Sequence, residues 1–472
     1  MAGNSKASFK GTLGFVLAAA GSAVGLGNIW RFPYLAARDG GGLFLVIYLI
    51  LAVTFGFALL TTEVSIGRKT KESPLTSYRD IKKGWGWIGI FSCVIPFIIL
   101  PYYCVIGGWV LKYLVAFATG HGEDCVADGY FDSFISGQFE PIIYMVIFTI
   151  LCAVVIFIGV NGGIEKMSTI LMPVLIIMVV VIAIFSLMIK GEDNAGKAIS
   201  GWDGLKVYII PSFEGVDISK FCNIVMDALG QLFYSLSVAM GIMIAYGSYV
   251  PDKANLVKSI NQIEFFDTLV AFLAGVMIIP AVYVFMGPEG MSSGPSLMFV
   301  TLPKVFMSMG WVGPIVGAVF FGMVLFAAIT SGMSLLEAVV ASFMDGFKAD
   351  RKKSVAIETV IALLIGLLVC LGYNVFFFDV KLPNGSHGQI LDVMDYVSNQ
   401  ILMPVVTIAT CILIGWVKKP DYVISEVTKN GERFGRAGLY RIMVRFIAPI
   451  LVFVLFLMSL GVDKWIAGLF KK

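Results

Sequence analysis

Ionisable side chains are scarce in this chain: only 14% of its 472 residues are charged, and just two, His121 and His387, are histidines. No HExxH pair occurs, and both histidines fall in segments expected to lie outside the membrane, so an intramembrane enzyme has no catalytic set. The chain is therefore read as a non-enzyme. Its seven cysteines, from Cys93 to Cys411, show no CxxC spacing and are read as packing residues rather than a metal site or a disulfide framework. A net charge of +3 without a basic stripe interleaved with aromatics excludes nucleic acid as partner. The first apolar run has no small-residue cleavage site followed by polar sequence, so it is expected to stay in the membrane.

What the chain has in abundance is apolar surface. Hydrophobic residues make up 58% of it and the mean hydropathy is +0.90, more than a water-soluble domain can bury, so the lipid bilayer must be part of its solvent. Apolar runs of about 18 residues or more place eleven transmembrane helices near 12–35, 42–67, 88–118, 140–159, 166–189, 223–249, 262–287, 314–345, 355–372, 390–416 and 440–461. Arg68, Lys69, Lys71, Arg79, Lys82 and Lys83 follow the second, Lys348 and Arg351 to Lys353 the eighth, and Lys418 to Arg436 the tenth. The segment His121 to Glu140 holds five acids and no lysine or arginine. Positive-inside reasoning then puts the N-terminus in the cytoplasm and, with an odd count, the C-terminus outside, against the mild contrary charge of Lys464, Lys471 and Lys472.

One stretch conflicts with a stable membrane helix. In Ala20 to Tyr34, AGSAVGLGNIWRFPY, three glycines loosen the helix, Asn28 and Arg31 are polar, and Pro33 cannot continue the ladder. Alone, Gly21-x-x-x-Gly25 reads as a helix-packing face. A packing face does not explain an arginine one turn later, which at membrane depth must be paired or face water. The sixth run has a similar flaw at GQLFYSLSVAMG, Gly230 to Gly241. Interrupted helices in matching places of two five-helix halves are the sign of an inverted-repeat transporter with its substrate between the breaks. The first repeat is placed at about 10–190, the second at about 220–416, and an extra helix at 440–461, all within one transporter domain of residues 1–472.

The stretch GSAVGLGNIWRFPY, with Asp39-Gly-Gly-Gly42 after it, resembles the first helix of the neurotransmitter:sodium symporter family. The resemblance continues through GQLFYSLS and AYGSYV, DTLVAFLAG and FAAITSGMSLLE, and it resembles the bacterial, eleven-helix type with the LeuT-like fold. That likeness implies an all-α membrane protein with a 5+5 inverted repeat broken in helices 1 and 6. It also implies a sodium-coupled symporter in the plasma membrane, or inner membrane of the cell, that takes neutral, hydrophobic L-amino acids by alternating access. Carriers of another small zwitterion, such as glycine, alanine or a betaine, and a substrate sensor on the same fold remain as alternatives.

Residue by residue, the resemblance implies that the substrate carboxylate takes the N–H groups of Leu26 and Gly27 and the Tyr103 hydroxyl. The ammonium then takes carbonyls near Ala23, Tyr234 and Ser235 and the Ser237 side chain. Ile99, Tyr103, Tyr234, Met240, Ser331 and Leu335 would line the side-chain pocket. Gly25 stands where the monoamine carriers of the family have an aspartate, which favours an amino acid. Two sodium ions (Na+) are implied, the first on Ala23, Asn28, Ser235 and Asp267, the second on Gly21, Val24, Ala327, Thr330 and Ser331. For Thr330 and Ser331 alone, hydroxyl bonding back to the preceding helical turn is the ordinary reading. Arg31 is expected to meet Asp395 in an outer gate above a lid of Tyr103 and Tyr234, and Lys6 to meet Asp345 in an inner one. Gly163 and Pro173 mark a segment of the fifth helix able to unwind. In the chloride-dependent relatives an anion lies near residues matching Tyr48, Gln231, Ser235 and Ala271. Here Ala271 has no hydroxyl and Asp267 supplies a fixed negative charge as chloride surrogate, so no chloride is expected and the return step is expected to be sensitive to internal pH.

Overall fold

The computed structural model describes residues 8–192, 198–287, 290 and 295–462, so Lys6 and the C-terminal Lys464, Lys471 and Lys472 lie outside the described residues. Among those described, nine helices are long and apolar enough to cross a membrane. They are span 2 (Gly42–Thr70), span 3 (Gly86–Ala118), span 4 (Glu140–Ile158), span 5 (Val160–Met188), span 7 (Leu256–Met286), span 8 (Gly310–Phe347), span 9 (Arg351–Leu371), span 10 (Ile390–Val417) and span 11 (Ala437–Ser459). Span 1 is the pair Thr12–Ala23 and Gly27–Arg38, bent by 55° at the break. Span 6 is made of two helices, Ile218–Ser235 and Ile242–Ser248. It does not read as one apolar crossing, because its first half carries Lys220, Asp227 and Gln231. All eleven predicted positions are thus helical, with starts shifted by a few residues. The remaining elements are short: helices such as Gly201–Ile209 and Asp421–Val427, and two two-stranded antiparallel hairpins.

The breaks follow from local sequence. In span 1 the helix stops at Ala23 and Val24 turns out at φ −76° and ψ 87°, while Pro33 lies inside the second half, just after the π-helical turn Gly27–Arg31. In span 6 three residues adopt the left-handed region, Ser237 at φ 53°, Ala239 at φ 68° and Gly241 at φ 73°. Only the glycine does so without a Cβ penalty, so the turn at Ser237 and Ala239 is held by its surroundings.

Spans 3 and 8 run side by side, and the halves Thr12–Ala23 of span 1 and Ile242–Ser248 of span 6 pack against span 8, whereas Gly27–Arg38 packs against span 7 and Ile218–Ser235 against span 2. Small residues set the closest approaches. A Cβ on Gly67 of span 2 would collide with the Ile244 carbonyl of span 6, and one on Gly247 would collide with the Val64 carbonyl, so each backbone rests on the other's glycine. Below this contact the buried Arg68 guanidinium pairs with Glu426 at 2.7 Å and donates to the Ala254 carbonyl at 2.7 Å. It ties the end of span 2 to the loop before span 7 and to the helix Asp421–Val427. Gly67→Val is expected to lower stability by at least about 2 kcal/mol through overpacking against backbone. Thermal unfolding of the purified protein in detergent checks this; an unchanged midpoint would show that the contact yields freely.

Candidate functional site

The two breaks face each other and bond across the gap. The Ser237 hydroxyl donates to the Ser22 carbonyl at 3.0 Å, and the Ser331 hydroxyl of span 8 donates to the same carbonyl at 3.1 Å. The Ala239 N–H donates to Glu63 Oε1 of span 2 at 2.6 Å. Between the breaks lies a small cavity. Its walls include Ala23, Leu26, Gly27, Ile99, Tyr103, Tyr234, Ser235, Ser237, Met240, Ser331 and Leu335, which are the expected substrate residues. Ser22, Gly25, Asn28 and Ile242 complete the lining, and among the described residues no charged side chain is in it. The buried Tyr103 hydroxyl sits beside Ser331 and the Leu26 amide but makes no well-formed hydrogen bond with either.

Next to the cavity three of the four residues expected at the first cation, Asn28, Ser235 and Asp267, converge. Asn28 Nδ2 donates to Asp267 Oδ1 at 2.9 Å, and the Ser235 hydroxyl donates to the same oxygen at 2.6 Å. Asn28 Oδ1 accepts from Ser235 Oγ and from the Gly25 N–H, each at 3.2 Å. Tyr48 reaches Asp267 Oδ2 at 3.4 Å, and Gln231 Nε2 donates to the Gly27 carbonyl at 3.1 Å. Asp267 and Ala271 are both fully buried. In the second set, Thr330 lies against Gly21, but its hydroxyl bonds back to the Phe326 and Ala327 carbonyls at 3.0 Å each. Ser331 does not bond back; it crosses to span 1.

The expected outer pair is not formed. Arg31 and Asp395 line one vestibule without an ion pair between them, and Asp395 Oδ1 instead accepts from Tyr102 at 3.0 Å and Asn399 at 2.6 Å. Tyr234 lines both the vestibule and the inner cavity, its ring placed where a Cβ on Gly27 would stand 2.8 Å away. The opposite side is shut. Phe9 is buried against Phe15, Tyr246 and Tyr249, while the Phe9 N–H and Ser8 hydroxyl both donate to the Tyr249 carbonyl, at 2.9 and 3.0 Å. Lys6 lies outside the described residues; Asp345, its expected partner, accepts the Ser73 N–H at 2.6 Å.

Sequence reasoning passed over Glu63, Tyr102 and Asn399. An acid in the middle of an apolar run is a signal in itself, and Asn399 stands one helical turn after Asp395, a spacing that puts both on one face.

With this geometry, the chain can be set beside known proteins. The profile of the sodium:neurotransmitter symporter family matches residues 6–125 and 135–465. The chain belongs to that family. An uncharacterised sodium-dependent transporter of Bacillus subtilis, YhdH, is 32% identical over 460 residues, covering 95% of this chain and 97% of the relative. The sodium- and chloride-dependent GABA transporter 2 of mouse is 26% identical over 421 residues, covering 78% and 67%. The crystal structure of MhsT in complex with L-phenylalanine superposes with a TM-score of 0.83 at 33% identity, covering 96% of this chain and 100% of that one. This symporter is therefore a sodium-dependent, multi-pass membrane transporter of the LeuT fold.

The bonding pattern separates two kinds of buried polar group. Tyr103→Phe removes an oxygen that supports nothing and is expected to leave the melting midpoint of ligand-free protein unchanged. Asp267→Ala strands the Asn28 amide and the Tyr48 hydroxyl, leaving Ser235 its bond to Asn28, and is expected to lower it, at about 1–3 kcal/mol for each stranded buried group. Differential scanning fluorimetry of both variants checks this, and an equal loss in the two would make the Tyr103 hydroxyl structural.

Proposed function

We propose that this symporter couples sodium entry to the uptake of neutral, hydrophobic L-amino acids by alternating access, without chloride. The observation that carries the reading is the polarity of the cavity. Free polar groups, the Tyr103 hydroxyl and the backbone at the two breaks, border the cavity, Ile99, Met240 and Leu335 supply apolar walls, and among the described residues no side-chain charge lines it. A zwitterion with an apolar side chain fits that division. The L-phenylalanine held by the related MhsT supports the same class.

In this reading the half-helix beginning at Gly27 presents N–H groups of Leu26 and Gly27 to the substrate carboxylate, with Tyr103 as further donor. Carbonyls near Ala23, Tyr234 and Ser235 and the Ser237 hydroxyl take the ammonium. One sodium ion takes the Ala23 carbonyl, Asn28, Ser235, Asp267 and a substrate carboxylate oxygen, so each ligand raises the affinity for the other. The second takes Gly21, Val24, Ala327, Thr330 and Ser331, for which Thr330 must turn from its own helix. The negative charge that chloride supplies in some relatives comes here from Asp267, already within reach of Tyr48. Residues 10–190 and 220–416 act as the inverted repeats, with the N-terminus in the cytoplasm and the vestibule facing out. Arg31 and Asp395 approach as the outer side closes, and Lys6 and Asp345 part as the inner side opens.

Uptake of labelled leucine and phenylalanine into proteoliposomes tests the whole reading. A sodium gradient should drive it, and replacing chloride by gluconate should leave it intact. Lysine or glutamate competing better than leucine, or a chloride requirement, would overturn the assignment, and binding without uptake would point to a sensor. Asp267→Asn should alter the dependence on internal pH. Tyr103→Phe should weaken substrate binding about tenfold or more, the worth of a hydrogen bond to a charged group. Ser235→Ala and Asn28→Ala should abolish sodium-dependent substrate binding, whereas Thr330→Ala should weaken sodium binding even without substrate. Arg31→Ala should impair transport while equilibrium binding persists; loss of both in proportion would make Arg31 a ligand.

A further inference from the structure

The start of span 7 bears a graded face away from the transport path. Lys258, Asn261, Gln262 and Phe265 stand at i, i+3, i+4 and i+7 of the helix Leu256–Met286, hence on one side of it. Lys258 and Asn261 are exposed, Phe265 is 60% exposed, and the stripe continues through the partly exposed Leu269 and Phe272. At 1.5 Å per residue, Phe265 lies about 10 Å further along the helix than Lys258. The face therefore runs from cation through amides to aromatic and aliphatic surface over the distance that separates a headgroup from acyl chains.

The loop between spans 10 and 11 completes a groove by adding Glu432 and Arg433 beside Val257 and Phe266. This loop is held firmly. Three residues on from Arg433, the Arg436 guanidinium donates to Glu264 Oε2 at 3.0 Å and to Asn261, and stacks 3.5 Å over the Phe57 ring. The charges in the groove are unequal in their commitments. Glu432 is turned toward Asn430, accepting its N–H at 3.0 Å and its Nδ2 at 3.2 Å. Among the described residues, the side chains of Lys258 and Arg433 have neither an ion pair nor a hydrogen bond. Two uncommitted cations thus stand over an apolar track on a membrane-spanning helix. We propose that this groove binds one anionic glycerophospholipid, its phosphate on Lys258 and Arg433 and an acyl chain along Phe265, Leu269 and Phe272.

A second basic patch sharpens the assignment. Arg79, Lys82, Lys83 and Lys418 cluster around another depression, whose other lining residues are Asp80, Ile81 and Gly84. It has more charge, but Ile81 is the one large apolar side chain in its lining, against Val257, Phe265 and Phe266 in the groove, so it attracts an anionic surface without seating a molecule. The two patches can be told apart by measurement.

The experiment is a titration of the full chain, purified in detergent, with dioleoylphosphatidylglycerol or dioleoylphosphatidylcholine, read by mass spectrometry of the intact protein–lipid complexes. The parent protein should prefer the anionic lipid. Lys258→Gln with Arg433→Gln should weaken its binding about thirtyfold, the combined effect of two surface cations, and leave the zwitterionic lipid unaffected. Lys82→Gln with Lys83→Gln should leave the preference intact. The charge-keeping pair Lys258→Arg with Arg433→Lys should bind as the parent does, which separates lost charge from lost folding. An equal loss in the Lys82 and Lys83 variant would reduce the effect to diffuse surface charge and overturn the site. So would displacement of the lipid by inorganic phosphate at equal concentration, which would mark a small-anion site, or an unchanged preference in the Lys258 and Arg433 variant.

Discussion

A carbonyl released from a helix in the middle of a bilayer has no water to turn to and must be met by another part of the protein. At Ser22 that demand is met twice, by the hydroxyls of Ser237 and Ser331, which come from the other broken span and from the central span 8. The opposite group, the Ala239 N–H, is met by Glu63 of span 2. The two interruptions thus persist because four spans supply partners to them, and the cavity exists because those partners leave Tyr103 and part of the freed backbone over. Stabilising the breaks and leaving room for a ligand are the same set of bonds.

The two mouths of the transport path are built from different materials. On the Phe9 side the seal consists of backbone-level bonds to the Tyr249 carbonyl and packed rings, backed by the Arg351 guanidinium bonded to Glu337 and by Tyr249 donating to Glu337 at 2.6 Å. On the Arg31 side the charged groups stand apart, and Asp395 is kept occupied by Tyr102 and Asn399. Both donors meet Oδ1, so Oδ2 stays open to a cation while the two neutral groups hold the carboxylate in place.

The eleven spans and both breaks were legible because lipid imposes a coarse code: long apolar runs, and expensive exceptions to them. Gly25, Asn28 and Arg31 are such exceptions, and so the cavity residues fell where motif and chemistry placed them. The sequence could not carry the state of the gates. Arg31 and Asp395 are separated by more than 360 positions, and residue type alone does not say whether they touch. Glu63 was missed for another reason: its partner is a backbone amide at Ala239, and an amide leaves no mark in a sequence. Thr330 followed its ordinary local habit, bonding to its own helix.

Tyr234 forms a wall of two chambers at once, the cavity between the breaks and the vestibule below Asp395. A ring in that place is a party wall: any push from one tenant is felt by the other. Thermodynamic reciprocity then fixes an accounting identity between them, since whatever free energy a solute in the vestibule gains or loses by shifting the ring, the occupant of the cavity returns in equal measure.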